Sequence, residues 1–253
     1  MDRPSSVIAT ENNHSVSSSS LSDRELLTLS VDIGGSGIKV IVLDSEGNRL
    51  SDRSRLKTPH PATPEAVIQT IATLAAPQTY DRVAVGFPGV INNGVTKTAV
   101  NLDSSWIGFD LASVLTNRLQ KPVRVANDAD IQGWGAISGT GVELVITLGT
   151  GFGSALFTNG KLVPNLEMGH HPFRKGETYE EQLGRKALDK EGNKKWNSRL
   201  AKAIATLERL FNYDRLYIGG GETKKIDFEL PSNAEIVPNV AGLLGGIRLF
   251  VND

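Results

Sequence analysis

A chain of 253 residues, 39% hydrophobic and 22% charged, is long enough for one or two domains and apolar enough to fill their cores. Its 27 basic and 28 acidic residues leave a net charge of −1, which argues against a general nucleic-acid or membrane-surface binder, and no apolar run approaches the roughly 20 residues that cross a bilayer. Cysteine is absent, which excludes disulfides, thiolate metal sites and cysteine nucleophiles together. The N-terminus has no apolar stretch long enough for a secretory signal, so a cytoplasmic protein is expected.

Residues 1–24 are rich in Ser, Asn and Asp with scattered apolar residues, and are expected to form a disordered tail. From Glu25, LLTLSVDI, IKVIVLD and NRLSDRSRLKT read as three strands in an antiparallel meander, joined by GGSG and SEGN. Thr63 to Ala75 reads as a helix, with Thr63 as cap, Pro64 in the first position and Val67, Ile71 and Leu74 on one face. RVAVGF is a strand, Phe109–Leu119 a second helix and VRVAN a further strand. In the second half ELVITLG is a buried strand, and SALFTNGKLV a hairpin around Asn159-Gly160. A long helix is expected near 195–212, then the strand RLYIGGG and a glycine-containing helix from NVAGLLGGIRLF. Both halves start with strand, Gly-rich turn, strand. That repetition implies duplication, with lobes 25–126 and 127–253 around a cleft and the last helix, 239–250, packing back on the first lobe.

Twelve of the 26 glycines fall in four short stretches, at 34–37, 149–153, 219–221 and 242–246. Glycine gathered in this way points to backbone approaching a ligand. Asp32-Ile33-Gly34-Gly35-Ser36-Gly37-Ile38-Lys39 ends a strand with a carboxylate beside a turn of small residues, which suits phosphate oxygens carrying a hydrated Mg²⁺. Thr147-Leu148-Gly149-Thr150-Gly151-Phe152-Gly153-Ser154 alternates hydroxyls with glycines but lacks the lysine of a P-loop. Tight hairpins use glycine too, so it is the recurrence at a third strand end, Gly219-Gly220-Gly221, that carries weight.

Asn127-Asp128-Ala129-Asp130 follows the strand VRVAN. Taken alone, Asn127 or Asp128 is as readily a helix cap; a carboxylate at a strand's carboxyl end can also take the proton from a hydroxyl attacking phosphorus. Glu167 and His170 converge if their segment turns, offering an acceptor and a donor to sugar hydroxyls. Adjacent His170 and His171 with Glu167 could suggest zinc, but H-E-x-x-H is absent. Asn101-Leu102-Asp103-Ser104-Ser105-Trp106 reads equally as a polar wall or as a loop beside a buried tryptophan. Residues 185–202 carry seven basic against two acidic side chains, which is either a solvated helix face or a path for a polyanion.

In this order, DIGGSGIK, GFPGV, NDAD, TLGTGFGSALF, ExGH and the late GGG resemble the ROK (repressor, open reading frame, kinase) family of sugar kinases over residues 27–250. NLDSSW, TNGKLVPN and WNSRLAKA look most like its polyphosphate-using glucokinase branch. The resemblance implies an α/β, two-lobed actin-like ATPase (ribonuclease H-like) fold with a central cleft. It implies phosphoryl transfer from polyphosphate and/or ATP to the 6-hydroxyl of glucose, with Asp128 as general base. Asn101, Asn127, Glu167, His170 and Glu180 would hold the hexose, Glu181 being the alternative to Glu180 if YEEQLG slips by one. Gly34, Gly35, Ser36, Gly37, Lys39, Thr150, Gly151, Gly220 and Gly221 would face donor phosphates, and Asp32 would organise Mg²⁺ through water. No zinc is expected, since the segment after Gly169-His170 has no cysteine. Expected partners are the hexose and the phosphate donor, with neither nucleic acid nor membrane, and a homodimer is the candidate assembly. Glu222-Thr223 after GGG departs from the family's Ser or Val-Ser. Three other readings stand beside this one: an ATP-only hexokinase acting on fructose or an N-acetyl amino sugar, a non-catalytic sugar-sensing regulator, and a decayed sugar-binding module. A regulator of this family carries an N-terminal helix-turn-helix, for which residues 1–24 are too polar and too short.

Overall fold

The computed structural model describes residues 25–99, 102–238 and 241–250. The expected tail at 1–24 and the expected sugar contact Asn101 lie outside the described residues. The first half runs β1 (Thr28–Ile33), β2 (Ile38–Leu43), β3 (Ser54–Leu56), α1 (Pro64–Ala75), β4 (Arg82–Phe87), a small hairpin of β5 (Ile91–Asn92) and β6 (Val95–Thr96), α2 (Leu111–Leu119), β7 (Val123–Asn127) and α3 (Asp128–Trp134). The second half continues with β8 (Val142–Leu148), β9 (Phe152–Thr158), β10 (Lys161–Val163), the short pair β11 (Pro172–Arg174) and β12 (Glu177–Thr178), α4 (Tyr179–Leu183), α5 (Arg185–Glu191), α6 (Asn193–Phe211), β13 (Arg215–Gly219), β14 (Ala234–Ile236) and α7 (Ala241–Leu244).

Two five-stranded sheets, in the orders β3-β2-β1-β4-β7 and β10-β9-β8-β13-β14, repeat one plan. In each, the first three strands form an antiparallel meander and the last two add in parallel. The internal repetition legible in the glycine turns is thus a repetition of sheet topology. Both meanders turn back through glycine: the β9–β10 hairpin places Asn159 and Gly160 at φ 50° and 75°, as a tight two-residue turn requires.

Each sheet has its own core. Val67, Ile71 and Leu74 of α1 and Leu111 and Leu115 of α2 pack on the first sheet with Trp106; Trp196, Leu200, Ile204 and Leu207 of α6 pack on the second. Trp106 is fully buried and its indole N–H donates to the Ala62 carbonyl at 2.8 Å, so the aromatic of the Leu102–Trp106 loop is a core residue. Between the sheets runs α3, in contact with β4 and β7 of the first and β8 and β9 of the second. Its N-terminus is where the two halves meet. At the end of the chain, Leu243 and Ile247 pack on Ile41 and Leu43, and Ser30 Oγ donates to the Leu243 carbonyl at 2.7 Å.

Four expectations need correction. The strand over Asn48–Thr58 shrinks to β3, because Ser51 Oγ takes the Val42 N–H (2.9 Å) in place of a backbone carbonyl and interrupts the ladder. The second helix begins at Leu111, capped by Asp110 whose carboxylate accepts from Ser113 N–H at 3.0 Å. The closing helix is α only over Ala241–Leu244 and tightens to a 3₁₀ turn over Gly245–Phe250, where paired glycines weaken the α-helix. The basic stretch 185–202 spans two helices, α5 and α6, parted at Gly192 with φ 78°. Among the described residues no helix is long and apolar enough to cross a membrane.

Candidate active site

Strand β1 delivers Asp32 to the edge of the interlobe space, and the Gly34–Gly37 turn follows. Gly34 N–H donates to Gly37 O at 3.1 Å, closing the hairpin and leaving Gly35 and Ser36 exposed at its tip. Arg55 donates to the Ser36 carbonyl at 2.9 Å and Thr58 Oγ1 to that of Gly34 at 2.5 Å, so the turn is held from behind. Lys39, opposite Asp32 in the β1–β2 register, places its Nζ 2.6 Å from Asp32 Oδ2.

Strand β7 ends in Asn127, which caps α3. Its Oδ1 accepts from Ala129 N–H at 2.8 Å while Nδ2 donates to Gly89 O and to Glu167 Oε1, both at 3.2 Å. The side chain thus caps α3 with its oxygen while its amide nitrogen ties the helix start to Gly89 and Glu167. Asp128 is the first residue of α3. Burial raises its pKa to about 7; the negative charges of Asp32 and Glu167 push the same way, and the Ala129 N–H opposes them. Burial first, and then the two further carboxylates brought from β1 and the Glu167 loop, hold the Asp128 carboxyl well above the usual carboxylate range.

Asp130, two residues further along α3 and so on its opposite side, is buried and has an Oδ1 without a partner among the described residues. Burial raises its pKa to about 7 as well, against the lowering hydrogen bond from the Asn165 backbone. A carboxyl raised in the folded state stabilises the fold fully below its unfolded value near 3.8 and loses that contribution as pH rises through about 7. Asp130→Asn removes the loss. We expect its melting temperature to gain on the wild type between pH 5 and pH 8, and an unchanged difference across that range would place the strain elsewhere.

The Thr147–Ser154 turn joins β8 to β9. Glu180 of α4 sits against it, accepting from Phe152 N–H at 3.2 Å, and a Cβ on Gly151 would overlap its carboxylate. The adjacent Glu181 instead accepts from Thr178 N–H at 2.8 Å in a capping box. That assignment separates the two glutamates: Glu180 faces the cavity and Glu181 closes a helix end. The Pro164–His170 loop is fastened by Ser154 Oγ, which donates to Leu166 O at 2.6 Å and accepts from Met168 N–H at 3.1 Å. Asn165 clasps the other half, its Oδ1 and Nδ2 each 3.1 Å from the backbone N and O of Ile91. A 3₁₀ turn over Met168–His170 then brings His170 Nε2 to 3.6 Å from Glu167 Oε2. Burial raises the Glu167 pKa, His170 lowers it and Glu180 raises it. His171 turns outward onto the Pro172 carbonyl at 2.8 Å.

These groups open into one cavity of about 510 Å³. Asp32, Gly34, Gly35, Ser36, Lys39, Asn127, Asp128, Thr150, Gly151, Glu167, His170, Glu180, Gly220 and Gly221 all line it. Gly37 does not; it is buried behind the turn against the Arg55 side chain. The lining residues Arg53 and Gln132 escaped the sequence reading, and Glu222 entered it only as a departure from the family pattern. Gln132 lies four residues after Asp128, hence on the same face of α3, a spacing that could have shown it. Glu222 directly follows the third glycine turn, is buried, and accepts from Arg185 Nη1 at 3.1 Å.

Among the described residues no group of three or more His, Asp, Glu or Cys could cage a metal ion. Asp32, with Oδ2 paired to Lys39 and Asp128 and Glu167 nearby, fits a hydrated Mg²⁺, which keeps several waters and takes one or two carboxylates plus donor phosphates.

Comparison with known proteins follows the same lines. The ROK family profile matches residues 28–184. The polyphosphate glucokinase of Mycobacterium tuberculosis (strain ATCC 25618 / H37Rv) is 35% identical over 241 residues, covering 88% of this chain and 91% of that protein. That of Mycobacterium leprae (strain TN) is 36% identical over 225 residues, covering 85% and 69%. Among solved structures, the inorganic polyphosphate/ATP-glucomannokinase of Arthrobacter sp. strain KM superposes with a TM-score of 0.81 at 36% identity, covering 90% of this chain and 99% of that one. The ROK family glucokinase of Streptomyces griseus, 22% identical with a TM-score of 0.75 over 88% and 98% of the two chains, shares the fold. With its repeated sheets, its NDAD turn at the interlobe helix and its three glycine-lined strand ends, the chain belongs to the ROK family of two-lobed, actin-like sugar-kinase folds.

Proposed function

We propose that this protein transfers a phosphoryl group from polyphosphate or ATP to the 6-hydroxyl of glucose, giving glucose 6-phosphate. The observation that carries the reading is the meeting of Asp128, near-neutral in its pKa, with Glu167, His170 and the glycine turns in one cavity. Identity of 35–36% to the two mycobacterial polyphosphate glucokinases supports the donor and the sugar.

Phosphoryl transfer asks little covalent chemistry of the protein; it asks for in-line positioning and charge stabilisation. Asn127, Glu167, His170 and Glu180 offer the ring hydroxyls paired donors and acceptors, the Asn127–Glu167 contact holding the first two in place. Asn101 joins them by family resemblance. Asp128 accepts the O6 proton as the O6–phosphorus bond forms and the bond to the leaving phosphate breaks. A base with a pKa near the working pH does this best. The backbone of Gly34, Gly35, Ser36, Thr150, Gly151, Gly220 and Gly221 approaches the donor phosphates, Gly37 closing the first turn. Lys39 holds Asp32 in its orientation toward the cavity. Asp32 would hold a hydrated Mg²⁺, which neutralises charge on the transferring group when bound. The reading carries a cytoplasmic location, where phosphorylated sugars are retained.

A donor-by-sugar matrix on the purified protein tests it. Polyphosphate is expected to outcompete ATP with glucose as acceptor, at a rate that falls with salt. Salt-insensitive transfer from ATP alone would make it an ATP-dependent hexokinase, and no transfer to any hexose would leave a sugar-binding module.

A further inference from the structure

The seven basic residues of 185–202 are not equally available. Lys195 and Arg199 pair with Glu191, and Arg185 places Nε 2.8 Å from Asp189 Oδ1. Lys186, Lys190, Lys194 and Lys202 are exposed and make no ion pair among the described residues. The fold adds two cations that the sequence separates from these. Glu222, at the edge of the donor turns, opens a 3₁₀ turn over Thr223–Lys225 in which Lys224 and Lys225 are exposed. That turn is sewn to the start of α6: Asn197 Nδ2 donates to the Lys225 carbonyl at 2.9 Å, and Asn193 Nδ2 to Asp227 Oδ2 at 3.0 Å.

Arg185 joins the two groups to the cavity. Its backbone N–H donates to Gly149 O at 3.0 Å, so its position follows the second glycine turn. Its guanidinium is oriented by Glu222 on Nη1 and Asp189 on Nε, and Nη2 makes no hydrogen bond among the described residues. Glu222 in turn has a buried Oε2 without a partner, so its carboxylate stands at the donor edge with Arg185 as its counter-charge. Arg185 is thus tied to two residues of the cavity lining, Gly149 and Glu222, while Lys186 follows it in sequence and Lys224 and Lys225 follow Glu222.

We propose that Arg185, Lys186, Lys194, Lys224 and Lys225 form a subsite for the distal phosphates of a linear polyphosphate, outside the donor turns. It rests on the polyphosphate reading of the preceding subsection. A nucleoside triphosphate ends in an uncharged ribose and base, whereas a long polyphosphate carries charge along its whole length. Exposed cations in succession match the second and add little to the first. Counterion release on binding makes the contribution of each contact salt-dependent.

The test uses the full-length protein and compares long-chain polyphosphate, tripolyphosphate and ATP, in turnover and in direct binding without sugar. In the Lys224→Gln/Lys225→Gln double variant, KM and Kd for the long chain are expected to rise about tenfold and the log–log salt slope to become shallower by about one per lysine, while kcat and the ATP and tripolyphosphate KM stay within about twofold. Arg185→Gln is expected to raise the long-chain KM further. Melting curves confirm that these exposed substitutions leave the fold intact. Long-chain KM and Kd unchanged in both variants, or an equal rise for all three donors, overturns the subsite. If the wild type uses polyphosphate and the variants are unaffected, the subsite fails and the donor reading stands. If the wild type binds the long chain through these lysines without transferring from it, the donor reading fails and the subsite stands.

Discussion

Asp128→Asn is expected to lower kcat for glucose phosphorylation by about 10²–10⁴-fold while the protein folds and binds glucose near the wild-type level. The substitution keeps size and shape at the first position of α3, and Asn127, which carries the helix cap and the Glu167 contact, is untouched. Only the proton acceptor is lost. Burial and the neighbouring charges of Asp32 and Glu167 hold the Asp128 pKa at about 7, so the wild-type kcat/KM should climb about tenfold per pH unit below that value and level off above it. The variant should lack this limb. Near-normal turnover in Asp128→Asn, or a wild-type profile flat from about pH 5 to pH 8, would remove Asp128 from the proton transfer.

The second large effect concerns backbone alone. Gly220 has φ +97°, a conformation that L side chains rarely adopt, and a Cβ there would overlap the Leu148 carbonyl oxygen and come to 2.5 Å from Leu148 N. Leu148 ends β8, and Glu222 N–H donates to its carbonyl at 3.0 Å, so the third glycine turn rests directly on the second. Nothing flexible is available to yield. Gly220→Ala should cost about 4 kcal/mol from backbone strain and overlap together, read as a fall in the denaturant midpoint. In whatever fraction stays folded, donor KM should suffer more than glucose KM, because the displaced strand ends face the donor turns. A variant with normal stability and donor KM would show that this turn yields, and would sever Gly220 from the donor site.

Much of this was legible in the linear chain, for local reasons. Thr63 and Pro64 start α1 where capping chemistry says they should, and Val67, Ile71 and Leu74 bury the face their spacing marks. Strands β4 and β7 match RVAVGF and VRVAN residue for residue. Part of the cavity lining was legible for a similar reason: Asp32 and Asn127–Asp128 sit at strand ends followed by glycine or by a cap, a signature confined to a few adjacent residues, whereas Glu180 of α4 entered only through the family resemblance. Elements without such a signature were missed. β14 is three residues long, and α4 and α5 are five and seven, lengths at which periodicity carries no information and long-range pairing decides.

What the sequence determined by itself, then, is the list of chemical groups and their local settings: carboxylates at strand ends, bare backbone beside them, and two halves built to one plan. Only the tertiary structure decided what those groups do to one another. Asp128 is raised in pKa chiefly because the fold buries it, and further because β1 and the Glu167 loop bring two more carboxylates near it; neither burial nor through-space repulsion leaves a trace in the order of residues. Glu180 rather than Glu181 faces the cavity because the capping box uses the second. Three of the seven cations at 185–202 are spent on Asp189, Glu191 and Glu222, and Lys224 and Lys225 add to the rest across a turn. Charges act through distance in space, and distance in space is what folding sets.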